Sequence, residues 1–251
     1  MKTVRLVLHA TALLLHLWLG ILILVSVFWM LTLAQRRCMV RWWSGIALRI
    51  CHTRTVVRGT PPASRQGVMV VCNHISWLDI PILNSRVALR FVAKSEIRRW
   101  PLVGLICART ETIFIRRGLR HAVHEVMHYL KDVLQSGGQV GVFPEGTTSA
   151  GDGLLPFHAN LLQAVLEAGV PIVPVALRYT DRAGRPSQVA AYVGDMTIGD
   201  SLRQVLSAKH IVAEITFLAP IYPTPEMSRH DLARLAQAAI AQSLGFALPH
   251  S

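Results

Sequence analysis

Between Leu6 and Ala34 the chain carries no Asp, Glu, Lys or Arg. As one helix rising about 1.5 Å per residue, this stretch would reach about 43 Å, beyond the ~30 Å hydrocarbon core of a bilayer. It predicts an apolar helix over 6–34 embedded in a membrane, either as a full span or dipping into one leaflet and returning. A cleaved signal peptide has an apolar part of only about 7–15 residues ending at small residues. Here the stretch is longer and runs into Gln35-Arg36-Arg37.

The charge distribution sharpens this reading. The net charge is +12, yet no Asp or Glu occurs before Asp79, so the excess divides into +9 before that residue and +3 from it onward. Basic character is therefore a property of the membrane-proximal part, suited to anionic headgroups, and a nucleic-acid partner is not expected. Arg36, Arg37, Arg41, Arg49, Arg54 and Arg58 follow the apolar stretch, against Lys2 and Arg5 before it. The positive-inside bias then puts the rest of the chain on the cytosolic face of the inner membrane. Cys38, Cys51, Cys72 and Cys107 have no repeated spacing and read as free thiols of a reducing compartment.

Met39, Trp42, Trp43, Ile46, Ala47 and Ile50 recur at helical spacing, which predicts an amphipathic helix over 37–51 lying in the membrane interface with its Trp pair at headgroup level. Packing of the same stripe on a globular domain is the alternative. Residues 1–58 are thus assigned to a membrane anchor and 59–251 to a catalytic domain, joined through Pro61-Pro62 and the polar run to Gly67.

Beyond the linker, short β-branched runs alternate with helical patterns. Val68–Cys72, Ile113–Ile115, Val140–Phe143, Ile172–Ala176 and Ile215–Phe217 are expected strands; Leu119–Gln135, His158–Ala168 and Asp231–Leu244 are expected helices. The order predicts an α/β fold with a mainly parallel sheet flanked by helices.

Three constellations carry chemistry. Cys72-Asn73-His74-Ile75-Ser76-Trp77-Leu78-Asp79 follows the first of these strands. On a continuous helix, five residues turn through about 140°, so His74 and Asp79 meet only if His74 stands on the turn and Asp79 in the first turn of the next helix. Ser76-x-x-Asp79 has the capping-box pattern that would start such a helix. The pattern alone explains Asp79; it does not explain a His at the carboxyl end of a strand, where α/β folds place their sites. A His held by a carboxylate is a general-base dyad.

Phe143-Pro144-Glu145-Gly146-Thr147-Thr148-Ser149 closes another strand with a loop able to offer N–H and O–H donors to an anion. Ile113-Phe114-Ile115-Arg116-Arg117 delivers two guanidinium groups suited to a phosphate. Finally, His124-Glu125-x-x-His128 matches the H-E-x-x-H zinc pattern. It lies across from the apolar face of its helix, and a catalytic zinc needs a third protein ligand. A solvated helix face is the favoured reading, and a membrane zinc protease is kept as a remote alternative.

Taken together, Asn73-His74-x4-Asp79, Phe114-Ile115-x-Arg117, Phe143-Pro144-Glu145-Gly146-Thr147-Thr148-Ser149 and Val170-Pro171-Ile172-Val173-Pro174-Val175 resemble, in order, the four motifs of the glycerolipid acyltransferases, above all the bacterial 1-acylglycerol-3-phosphate acyltransferases. The resemblance covers about Val68 to Leu177. It implies transfer of a fatty acyl group from acyl-CoA or acyl carrier protein to a lysophospholipid hydroxyl, among membrane lipids, with no metal and no cofactor. It assigns His74 as catalytic base and Asp79 as its partner, with Arg117, Glu145, Gly146 and Thr147 at the acceptor. Glu111 stands where the family commonly has Gly, and Arg116 where it commonly has an acidic residue. A lyso-ornithine lipid or another lysophospholipid is the alternative acceptor.

Overall fold

The computed structural model describes residues 2–115 and 120–247. Its apolar stretch is a hairpin, not the continuous helix expected over 6–34. Helix α1 (Lys2–Ser26) gives way to one 3-10 turn (Phe28–Met30), and α2 (Leu33–Ile50) returns. Two local causes break the helix. Thr32 and Gln35 form a reciprocal capping box that starts α2. The Arg36 guanidinium donates to the carbonyls of Phe28, Leu31 and Trp29 at 3.1, 3.0 and 3.0 Å, satisfying acceptors that the helix end leaves open.

The hairpin closes on small and flat groups. His16 stacks on Trp43 with ring centroids 3.8 Å apart. A Cβ on Gly20 would lie 2.6 Å from the same indole, so only glycine permits this approach. Leu13, His16, Gly20 and Leu24, spaced three or four apart, form the buried stripe of α1, and Phe28 in the 3-10 turn continues it. On the opposite side Val4, Val7, Leu8, Leu15, Trp18 and Leu22 stand exposed, a continuous apolar surface that water would penalise and lipid would cover. Helix α2 packs against α3 (Asp79–Asn84) and sends Leu48 and Cys51 into or beside the main core. Trp43 is therefore turned to α1, while Trp42 is exposed, its ring centroid 6.3 Å from that of Trp43.

Seven strands make one sheet: β1 (Thr53–Arg58), β2 (Val68–Cys72), β3 (Arg90–Lys94), β4 (Ile113–Ile115), β5 (Gln139–Val142), β6 (Ile172–Thr180) and β7 (Ile211–Phe217). Their spatial order is β1-β7-β6-β2-β5-β3-β4. All neighbours are parallel except β6 and β7. Consequently the amino ends of β1 and β7 share an edge with the carboxyl ends of the other five strands. The chain enters the sheet directly from α2, since β1 pairs with β7 along its whole length.

Strand β2 is the centre of the molecule. Val68, Val70 and Cys72 point into a core shared with α2, α3 and α7 (Ile198–Ser207). Met69 and Val71 point into a second core beneath α5 (Arg120–Gln135), α6 (Gln163–Ala168) and α8 (Arg229–Leu244). A strand buried on both faces reads as an unbroken apolar run, as this one does. Strands β1 and β3 and helices α4 (Val103–Arg109) and α7 were not among the expected elements. Strands β6 and β7 extend beyond their expected bounds, to Thr180 and back to Ile211.

Candidate active site

The site begins where β2 stops. Asn73 is fully buried and bonds across to β6, donating Nδ2–H to the Leu177 carbonyl at 2.9 Å and accepting from Leu177 N–H at 2.8 Å. A side chain thus completes the ladder that the backbone leaves, and the turn that follows is pinned.

His74 is held from both sides by the 143–149 loop. Its backbone N–H donates to Glu145 Oε1 at 2.7 Å, and its carbonyl accepts from Ser149 N–H at 2.8 Å and Ser149 Oγ–H at 3.1 Å. Its ring lies flat on Phe143 (3.9 Å, 12°), which in turn stacks on Phe91 (5.5 Å, 9°). The remaining freedom of the ring is removed by Asp79, whose Oδ2 accepts from His74 Nδ1 at 2.8 Å. The other ring nitrogen, Nε2, has no partner among the described residues, and the side chain is 18% exposed. It is the nitrogen available to a substrate.

Asp79 itself has no contact with solvent. Four donors replace water around it: His74 Nδ1–H, the N–H groups of Ile75 (2.7 Å) and Ser76 (2.9 Å) on Oδ2, and the Tyr179 phenol (2.6 Å) on Oδ1. A buried carboxylate is tolerable only with such a set. The expected capping box is half present: Asp79 reaches back to Ser76 N–H, but Ser76 Oγ accepts from Leu78 N–H at 3.3 Å and the helix starts at Asp79 itself. Burial first, then the neighbouring Asp79 charge, push the Tyr179 phenol well above its ordinary value, so it stays a donor. The Cys72 thiol is pushed up by burial in the same way and is no nucleophile.

Glu145 sits behind the dyad. It is nearly fully buried, its Oε2 accepts from Leu155 N–H at 3.0 Å, and burial raises its carboxyl above the usual range. Each of its oxygens thus holds a backbone amide, so it fixes the loop under His74. Gly146 turns the loop with φ +68°, a conformation that favours glycine, and Thr147 stands exposed beside it. Arg116 and Arg117 lie outside the described residues. Glu111 precedes β4 at φ +63°, where a non-glycine residue is strained by about 1–2 kcal/mol, and its carboxylate pairs with Arg90 at 2.6 Å.

The His124-Glu125-x-x-His128 pattern falls on α5. Glu125 and His128 are exposed there, and the His124 side chain lies outside the described residues. Among the described residues, no three His, Cys, Asp or Glu side chains gather as a metal would require.

Tyr179 was not a candidate from sequence. The signal was parity: Val173, Val175, Leu177 and Tyr179 share one face of β6, the face on which the dyad lies, but the expected strand stopped at Ala176. Phe143 and Asn73, though within the quoted motifs, likewise show their roles only in contact.

The model of the Acyltransferase family matches residues 32–178. The chain belongs to the acyltransferase family. It is an O-acyltransferase, and it is 38% identical to the lyso-ornithine lipid O-acyltransferase of Pseudomonas aeruginosa over 85% of this chain and 81% of that one. The 1-acyl-sn-glycerol-3-phosphate acyltransferase of Neisseria gonorrhoeae is 36% identical over 62% of this chain and 61% of that one. The crystal structure of the 1-acyl-sn-glycerophosphate acyltransferase PlsC from Thermotoga maritima has the same fold, with a TM-score of 0.67 at 20% identity over 98% of this chain and 97% of that one.

Proposed function

We propose that this acyltransferase moves a fatty acyl group from an acyl thioester, acyl-CoA or acyl carrier protein, to the free hydroxyl of 1-acyl-sn-glycerol-3-phosphate, giving phosphatidic acid. The observation that carries the reading is the tether of His74 Nδ1 to buried Asp79, which leaves Nε2 as the only ring nitrogen able to take a proton. Nε2 removes the acceptor hydroxyl proton as the oxygen attacks the thioester carbonyl. The tetrahedral intermediate collapses, the C–S bond breaks, and the departing thiolate takes the proton back from the imidazolium. Asp79 stays ionised, fixing the tautomer and stabilising the imidazolium between these steps. The acyl group passes directly between substrates; Arg117, Gly146 and Thr147 are assigned to the acceptor headgroup, and Glu145 holds the loop that carries Gly146 and Thr147.

The apolar outer face of α1 supports membrane association, and the excess of arginine after that helix supports a cytosolic orientation.

A second acceptor, a lyso-ornithine lipid, is favoured by the wider span of similarity to the Pseudomonas aeruginosa protein, 85% of the chain against 62% for the Neisseria gonorrhoeae one. The deciding experiment offers purified protein in micelles a labelled acyl thioester and either 1-acyl-sn-glycerol-3-phosphate or lyso-ornithine lipid. Faster acylation of the first supports the primary reading, faster acylation of the second replaces it, and acylation of neither sinks both.

A further inference from the structure

The corner where β1 and β7 begin gathers basic side chains from four separate segments. Because Thr53 is opposite Ile211 in the parallel β1–β7 pair, the preceding residues His52 and His210 are neighbours, and Ile211 N–H donates to the His52 carbonyl at 3.1 Å. Lys209 comes with His210. Thr180 is opposite Val212 in the antiparallel β6–β7 pair, which brings Arg182 into the same corner. Helix α1 closes it: His9 Nε2 lies 2.9 Å from His52 Nε2, and the Arg5 guanidinium donates to the Ser207 carbonyl at the end of α7.

Little offsets this charge. The carboxylate of the corner, Asp181, accepts from Arg185 at 2.8 Å. His52 is held below its ordinary value by burial, then by His9, Arg5 and His210; His210 by desolvation, then by Arg182, Arg5 and Lys209. Arg5 Nε and His9 Nδ1 are buried without a hydrogen-bond partner among the described residues. Like charges drawn together by the fold repel, and unpaired buried polar nitrogens cost free energy. A bound anion relieves the repulsion and offers the acceptors that this corner lacks.

We propose that this corner binds the phosphate headgroup of an anionic bilayer lipid, separately from the acceptor at His74. The flank argues for a lipid: Val4, Val7 and Leu8, on the same turns of α1 as Arg5 and His9, are 63%, 57% and 62% exposed, so acyl chains find apolar surface beside the charge. The corner lies on the same sheet edge as His74, three strands from β2, or about 14 Å at ordinary strand spacing. A lipid held there fixes that edge against the bilayer. The inference goes beyond acyl transfer and stands whichever lysolipid is the acceptor.

The test uses the full chain, histidine-labelled for NMR, in uncharged detergent micelles. The His52 and His210 imidazole signals, identified with His52→Gln and His210→Gln, are followed during titration with short-chain phosphatidylglycerol, short-chain phosphatidylcholine or inorganic phosphate. Phosphatidylglycerol shifts both signals saturably, at a concentration about tenfold below that needed for inorganic phosphate, while phosphatidylcholine gives no saturable shift. Arg182→Ala with Lys209→Ala, both on exposed turns, weakens the response about 30-fold. Arg5→Ala also weakens it; because Arg5 braces α1, the exposed pair keeps the test independent of folding. The proposal falls if phosphatidylcholine acts like phosphatidylglycerol, if inorganic phosphate saturates the signals at the same concentration as the lipid, or if the double variant titrates like wild type. Loss of acyl transfer with these responses intact would count against the catalytic reading alone.

Discussion

Tyr179, at the end of β6, donates its phenolic O–H to Asp79 Oδ1 at 2.6 Å, joining the dyad to a strand a hundred residues later in the chain. Tyr179→Phe removes the only side-chain donor on that oxygen among the described residues and leaves it buried. Stability falls by about 1–3 kcal/mol, read from denaturant unfolding. Because the phenol holds Asp79, which holds His74, kcat falls about 10- to 100-fold while KM for the acceptor stays near wild type. A variant with unchanged kcat would remove Tyr179 from the positioning chain.

The two members of the dyad differ in what they lose. His74→Ala deletes the base and costs about 10²- to 10⁴-fold in rate. Asp79→Asn keeps the shape but turns an N–H toward donors and releases the His74 tautomer, for a loss of about 10⁴-fold. Single-turnover assays on folded variants compare them; full activity in either variant would cancel that residue's role.

Glu145 makes a prediction about pH. Its folded carboxyl is raised above the ordinary 4.5 by burial, so the folded chain binds this proton more tightly than the unfolded chain does. The stabilisation from the proton is complete below the unfolded value and is lost as pH rises through the folded one. Glu145→Gln flattens this part of the stability curve. The variant is also weaker by about 1–3 kcal/mol, because a carboxamide can accept from only one of the His74 and Leu155 amides. Urea unfolding of both proteins across this range reads the two effects, and parallel curves would contradict the first.

His52 acts in the opposite sense. Burial first, then His9, Arg5 and His210, hold it below the ordinary 6.5, so its contribution is present above that value and lost as pH falls through the depressed one. In His52→Gln the difference from wild type therefore narrows on acidification. Thermal unfolding at pH values on either side of 6.5 in uncharged micelles measures it, and a constant difference would count against the depressed value.

How much was legible follows from the range of the interactions. The strand Val68–Cys72, the turn residue His74 and the helix-starting Asp79 were readable because propensity, burial pattern and capping act within about eight residues. The His74–Asp79 contact was readable as a condition, since only a turn followed by a helix start lets the two meet. The break at 27–32 was not, because 29 uncharged residues satisfy a straight helix as well as a hairpin. Arg36, which caps the loop carbonyls, had read only as one of a basic run. Strand β1 sat among residues assigned to the anchor, and β3 is short and half-buried, so neither carries a strong period. Glu145 was singled out from its motif, but its two backbone partners, His74 and Leu155, stand on different segments.

The sequence by itself determined an apolar, arginine-flanked amino-terminal part, a mainly parallel α/β domain and the five-residue spacing of His74 and Asp79, because each is encoded in local order. Only the tertiary structure decided that Tyr179 supports Asp79, that Glu145 clamps the loop beneath His74, and that Arg5 and His9 meet His52 and His210 at one corner. Those relationships join side chains brought together by strand order and by the reversal of β1 and β7, which no local pattern in a single chain specifies.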